Sequence, residues 1–154
     1  MKVYRLAHKR YMHDTSGSGA KKWGGRWNPP GIACIYTSQY LSLAMLEKLV
    51  HAQTFNDVKD AALMVFDIEN TADLYRIDTQ KLQPWWKENV AYTQWMGKQI
   101  LENGSFKGFI APSIIIPEEM NVILLPNFPG KEGTRLISAE EYLFDSRLSR
   151  LLPK

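Results

Sequence analysis

Apolar positions in this chain fall into short alternating or continuous runs, with few long helical stripes. Residues 2–6 (KVYRL) alternate with a period of two, as a half-buried strand does, with Val3 and Arg5 on one face and Tyr4 and Leu6 on the other. Residues 32–38 (IACIYTS) and 61–68 (AALMVFDI) read as buried strands, and 73–77 admits a short one. Further strands are expected at 108–111 (GFIA), 114–117 (IIIP) and 121–125 (NVILL), the last closed by Pro126-Asn127-Phe128-Pro129-Gly130. Two segments have helical spacing. Residues 39–53 (QYLSLAMLEKLVHAQ) follow Ser38, whose hydroxyl suits an N-cap, and are apolar almost all round, the pattern of a buried helix. Residues 91–103 end at Asn103-Gly104, a good helix stop. The stretch 82–90, with Trp85 and Trp86, reads as a turn entering that helix, its tryptophans serving as packing anchors. The C-terminal part is open: residues 138–141 (SAEE) fit a capping box, whereas 141–147 fits a continued sheet equally well. Strand, long loop, strand, helix and then mostly strands make this an α+β chain rather than a regular βαβ one.

The long connection, residues 7–31, ends in Lys21-Lys22-Trp23-Gly24-Gly25-Arg26-Trp27-Asn28-Pro29-Pro30-Gly31. Loops of this length inside compact domains often carry function. Its glycines let backbone approach a ligand, and Arg26 and Asn28 offer donors beside flat aromatic rings. The plainer alternative is a surface loop whose tryptophans plug into the core.

Composition narrows the classes. A length of 154 residues, 45% of them hydrophobic and 23% charged, suits one soluble globular domain spanning 1–154. No apolar run reaches the length of a membrane span, and the polar N-terminus does not resemble a signal peptide. With Cys34 the sole cysteine, no internal disulfide is possible, and a cytoplasmic setting is expected. The net charge of +3 is compatible with an anionic small molecule or with nucleic acid. His8, His13 and His51 lack metal-ligand spacing, so no metal is expected. There is no Gly-x-Ser-x-Gly elbow, Rossmann fingerprint or P-loop. Cys34 lies in an apolar run and reads as inert core.

Arg5, Arg26, Tyr36, Glu47 and Ser113 remain, all at expected strand ends or on the first long helix. Guanidinium forks grip pyrophosphate, a tyrosine stacks on a flat heterocycle, and a carboxylate stabilises an oxocarbenium-like centre as a glycosidic bond breaks. Together they suit a dinucleotide. Two plainer readings stand beside this one: Arg5 as an edge-strand charge, and Glu47 on a narrow solvent stripe with Lys48.

The chain resembles the RES-domain family, the toxins of RES–Xre toxin–antitoxin pairs. The residues that carry the resemblance are Tyr4-Arg5, Gly19-Ala20, Gly24-Gly25-Arg26-Trp27-Asn28-Pro29-Pro30-Gly31 and Tyr36-Thr37-Ser38. With them go Ala44-Met45-Leu46-Glu47, Leu49-Val50-His51, Pro112-Ser113, Asn121-Val122-Ile123-Leu124 and the closing Phe144-Asp145-Ser146-Arg147-Leu148. It departs from the commoner pattern at Lys21-Lys22, where arginine is frequent, and Asn127-Phe128-Pro129 matches only approximately.

The resemblance implies a fold like that of ADP-ribosyltransferases, with mostly antiparallel sheets and flanking helices. It also implies NAD as substrate, not resident cofactor, cleaved at the nicotinamide–ribose bond with water or inorganic phosphate as acceptor. Glu47, Arg26 and Tyr36 would form the catalytic group, Tyr36 against the nicotinamide side and Glu47 as the carboxylate. Arg5 and Arg26 would hold phosphates and ribose, and Ser113 would position the substrate. Gly25, Trp27, Asn28 and Ser38 complete the expected NAD-binding set. An Xre-type helix-turn-helix antitoxin is the implied partner, a homodimer is compatible, and neither membrane nor direct nucleic-acid binding is expected. Two other classes stay open: an ADP-ribosyltransferase acting on a protein, told apart by label transfer to a macromolecule, and a nucleic-acid-binding module, told apart by steep salt dependence.

Overall fold

The computed structural model describes residues 1–126 and 134–152. The Asn127–Gly130 part of the proline-rich turn, with the approximate Asn127-Phe128-Pro129 match, lies outside the described residues. The strands are β1 (Lys2–His8), β2 (Ile35–Ser38), β3 (Ala61–Ile68), β4 (Leu74–Arg76), β5 (Gly108–Pro112), β6 (Met120–Leu124) and β7 (Thr134–Tyr142). The helices are α1 (Ser18–Trp23), α2 (Leu41–Val50), α3 (Asn56–Lys59) and α4 (Val90–Glu102). The strands form one seven-stranded sheet in the order β4-β5-β6-β2-β1-β3-β7. Its pairs are antiparallel except β4 with β5, which makes the fold α+β.

Period-two alternation explains why both faces of the middle strands are apolar. Ile110, Val122 and Leu124 join Val3, Ile35, Met64 and Phe66 in one core. Their sequence neighbours Phe109, Ala111 and Ile123 join Trp27, Cys34, Trp86 and Leu101 in a second core on the other side. Strands buried on both faces read as continuous apolar runs, as 32–38 and 108–111 do. A smaller cluster of Val58, Ala61 and Phe144 packs with Leu6 and Leu49 beneath α2.

The sheet is not uniformly closed. β1 pairs with β3 along its whole length, from Lys2↔Asp67 to His8↔Ala61. Its register with β2 is confined, among the described residues, to Tyr4↔Ser38. Past that rung the two strands part, and the opening between them becomes a cleft. β1 is therefore an interior strand, so the edge-strand reading of Arg5 does not hold.

Several sequence expectations change. Ser38 does not cap α2: it ends β2, and the helix begins after Tyr40, which makes no side-chain cap bond. Nor is α2 buried all round. Only Leu43 and Ala44 are fully covered, while Leu46 and Val50 are 37% and 62% exposed, Val50 in the cleft lining and Leu46 outside it. The stretch 7–31 is not irregular throughout, since α1 forms within it. Residues 114–117 turn instead of forming a strand, because Ser113 Oγ accepts the N–H groups of Ile115 and Ile116 and curls the chain. At the C-terminal end neither expectation holds as stated: residues 138–141 lie in β7, whose pairing with β3 outweighs a local helix start, and the sheet expected over 141–147 ends at Tyr142, with a 3-10 turn beginning at Ser146.

Candidate active site

The Gly-rich loop after α1 is held from three directions. Asn28 is fully buried, and its Nδ2 donates to the carbonyls of Ala20 and Ile32 at 2.9 Å each and of Pro29 at 3.2 Å. Its Oδ1 accepts the Tyr36 hydroxyl at 2.8 Å, and the same hydroxyl accepts the Trp27 N–H at 2.9 Å. A Cβ on Gly25 would lie 2.7 Å from that hydroxyl, so only glycine lets the loop close over Tyr36. On the far side, Thr93 Oγ1 donates to the Arg26 carbonyl at 2.7 Å and Gln94 Nε2 to the Gly25 carbonyl at 2.8 Å. Between these contacts, Gly97 brings α4 so close that a Cβ there would sit 1.7 Å from the Trp27 carbonyl oxygen. The Trp27 indole packs against Trp86 and Phe109, with ring centroids 5.9 and 6.0 Å away.

The cleft beside this loop encloses about 790 Å³, within the range of small-molecule sites. Tyr4, Arg5 and Leu6 of β1 line it with the 23–27 loop, Tyr36–Ser38 of β2, and Ala44, Glu47, Lys48 and His51 on and just after α2. Helical spacing thus turns Ala44, Glu47 and His51 to one wall, as the i, i+3 and i+4 neighbours of Glu47 predict. Glu47 is not on a free solvent stripe. Its Oε1 accepts Asn121 Nδ2 at 2.7 Å and Ser113 Oγ at 3.0 Å.

Three cations share the lining with Glu47: Arg5, Arg26 and Lys48. Burial lowers the affinity of all three for their protons. Asp14 and Cys34 partly offset this at Arg5, and Tyr36 and Glu88 at Arg26; at Lys48 Asp57 opposes burial and Arg5 adds to it. Both guanidiniums nonetheless remain charged. Arg26 Nη1 donates to the Lys87 carbonyl at 3.0 Å. Arg5 Nε is buried without a hydrogen-bond partner. A buried charged donor left unpaired is costly, and an anion in the cleft would satisfy it. Burial also pushes the Tyr36 hydroxyl up and the Cys34 thiol up to about 12, so neither is an anion at neutral pH.

Of the expected site residues, Arg5, Gly25, Arg26, Trp27, Tyr36, Ser38 and Glu47 meet at the cleft. Asn28 and Ser113 do not line it. Both are completely buried, and their polar atoms are engaged by the protein itself, Ser113 behind Glu47 and Asn28 beneath the loop. Trp27 is only 2% exposed, and its ring belongs to the core, whereas Trp23 at the cleft mouth is 75% exposed. Of the two tryptophans flanking Arg26, one is therefore core and one is not. Lys21 and Lys22 are exposed and outside the cleft wall. Asn121, singled out in the sequence only as part of the family motif, also lines the cleft. Three further residues that support the site were not picked from the sequence: Thr93, Gln94 and Gly97. For these, a glycine inside an otherwise regular helix was the one available signal, since it costs helix stability and so marks a close approach.

The sheet with its single-rung opening and the loop clamped over a cationic cleft correspond to a known family. The RES domain family model matches residues 2–145, and the chain belongs to that family. Among characterised relatives, Toxin Res of Photorhabdus laumondii is 41% identical over 155 residues, covering 96% of this chain and 97% of that one. Toxin Res of Yersinia enterocolitica is 35% identical, with 96% and 99% covered. The Prs ADP-ribosylating toxin of a Sphingobium species is 30% identical, with 89% and 88% covered. The fold is shared with a chain in the crystal structure of the M. tuberculosis MbcT–MbcA toxin–antitoxin complex. The TM-score is 0.77 at 19% identity, covering 98% of this chain and 87% of that one. Among the described residues, no helix is long and apolar enough to cross a membrane.

Proposed function

We propose that this chain is the toxin of a toxin–antitoxin pair, and that it consumes NAD by breaking the nicotinamide–ribose bond. The observation that carries the reading is one cleft with Arg5, whose guanidinium Nε is buried without a hydrogen-bond partner, and an anchored carboxylate, Glu47. A dinucleotide presents complementary groups: an anionic pyrophosphate and a ribosyl carbon that becomes cationic in the transition state. Arg5 and Arg26 bind the phosphates. Glu47 stabilises the positive charge on the ribosyl C1 as the C–N bond breaks and its electron pair leaves with neutral nicotinamide. Water adds to that carbon and loses a proton to solvent, giving ADP-ribose; a phosphate oxygen adding instead gives the phosphorylated sugar. The role of Tyr36 is to hold the loop and form a neutral wall on the nicotinamide side. A cognate Xre-type antitoxin would restrain the activity; the toxin names of the relatives and the toxin–antitoxin complex that shares the fold support an antitoxin partner.

Incubating the purified chain with NAD, with and without inorganic phosphate, and identifying products by mass spectrometry tests this. Nicotinamide with ADP-ribose identifies a glycohydrolase, and a phosphate-dependent product a phosphorylase. Intact NAD in both reactions overturns the reading. A second reading, transfer of ADP-ribose to a protein, is favoured by the name of the Sphingobium relative. Adenine-labelled NAD separates the two: label stays on small products in the first and moves to a macromolecule in the second.

A further inference from the structure

Both hydrogen bonds to Glu47 fall on Oε1, and among the described residues Oε2 accepts none. Each donor is itself locked from behind. Ser113 Oγ accepts the N–H of Ile115 at 3.0 Å and of Ile116 at 3.3 Å, which directs its hydroxyl hydrogen to the carboxylate. Asn121 Oδ1 accepts Ser38 Oγ at 2.7 Å, so the amide nitrogen faces Glu47. The reverse orientation would set an amide oxygen against a carboxylate oxygen. Ser38 and Asn121 are also directly opposite in the β2–β6 register, and Ser38 forms the one β1–β2 rung at which the sheet opens. The chain of bonds therefore runs from the last closed rung of the sheet to the carboxylate.

We infer that Asn121, braced by Ser38, is a positioning residue that presents Glu47 as an acceptor-only carboxylate, with Oε1 occupied and Oε2 left for the ribosyl centre. The inference rests on the NAD-cleaving reading. It also gives Ser38 a role behind the wall in addition to its place in the lining.

The deciding variant is Asn121→Asp, which keeps the side-chain shape but places a second carboxylate against Glu47. Two carboxylates sharing a site resist ionising together. The expected result is a kcat lowered about 10- to 100-fold at neutral pH with little change in KM. The acid limb of the kcat profile should move up by about one pH unit or more. Ser38→Ala, which removes the brace, should lower kcat less than Asn121→Asp does and leave the melting temperature near that of the parent. In protein carrying carbon-13 at the glutamate carboxyls, the Glu47 titration should move to higher pH in Asn121→Asp, whether or not NAD is present. An unmoved pH profile and an unmoved Glu47 titration in folded Asn121→Asp would overturn the inference. A parent protein that releases no nicotinamide defeats the NAD reading instead, and the carboxyl titration still decides whether Asn121 governs Glu47.

Discussion

In the cleft lining, Glu47 is held by side chains that are themselves held: Asn121 by Ser38, and Ser113 by two backbone amides. Arg5, in the same lining, projects from an interior strand with a buried Nε that has no partner. The carboxylate is positioned by the protein itself, and the guanidinium is completed by whatever enters. Such asymmetry suits a substrate whose anionic part anchors it while a developing cation is brought to a prearranged charge. Side chains around the carboxylate should be needed for turnover. The guanidinium should be needed for binding, and its removal should cost the empty protein little.

The strongest break in this contrast is Glu47→Gln, which keeps the shape and removes the charge. Turnover of NAD should fall about 10³-fold, a barrier increase of about 4 kcal/mol, with the fold intact by circular dichroism. A folded variant that turns over at the parent rate would remove Glu47 from the chemistry. Gly97→Ala comes next. Its Cβ would overlap the Trp27 carbonyl oxygen, so α4 must withdraw from the loop. Chemical denaturation should show a loss of about 1–3 kcal/mol or more, and the loss should extend to NAD affinity because Thr93 and Gln94 move with the helix.

Arg5→Met sharpens the other side of the contrast. NAD affinity should weaken about 10- to 100-fold, while the melting temperature of the ligand-free protein holds or rises, since a buried Nε–H without a hydrogen-bond partner is gone. A large loss of stability would mark Arg5 as structural. The smallest expected effect is in alkali. The Cys34 thiol, ordinarily near 9.0, is pushed up to about 12 by burial, and burial raises Tyr36 as well. The unfolded chain therefore gives up these protons first. The stability they contribute is complete below about pH 9 and drains away as pH climbs toward 12. Comparing denaturation midpoints at about pH 8 and about pH 10.5 should show this decline, and Cys34→Ala should flatten it.

The amino-acid sequence by itself determined the alternation of residues 2–6, the continuous run 61–68, the stop at Asn103-Gly104 and the α+β class. Each follows from neighbours one to four residues apart, where period and turn chemistry act directly. It also placed Glu47 on the same helix side as Ala44 and His51. Tertiary structure decided what local spacing could not express. Ser38 is claimed by Asn121 across the sheet and not by the helix after it, because β2–β6 pairing sets that partner within reach. Residues 138–141 join β3 despite their capping-box pattern. Trp27 is core while Trp23 is exposed, although both flank the same arginine, because α4 closes on only one of them through Gly97. The cleft itself exists because β1 and β2 separate after one rung, a relation between segments thirty residues apart. Contacts of that kind depend on which strands become neighbours, and no local period records it.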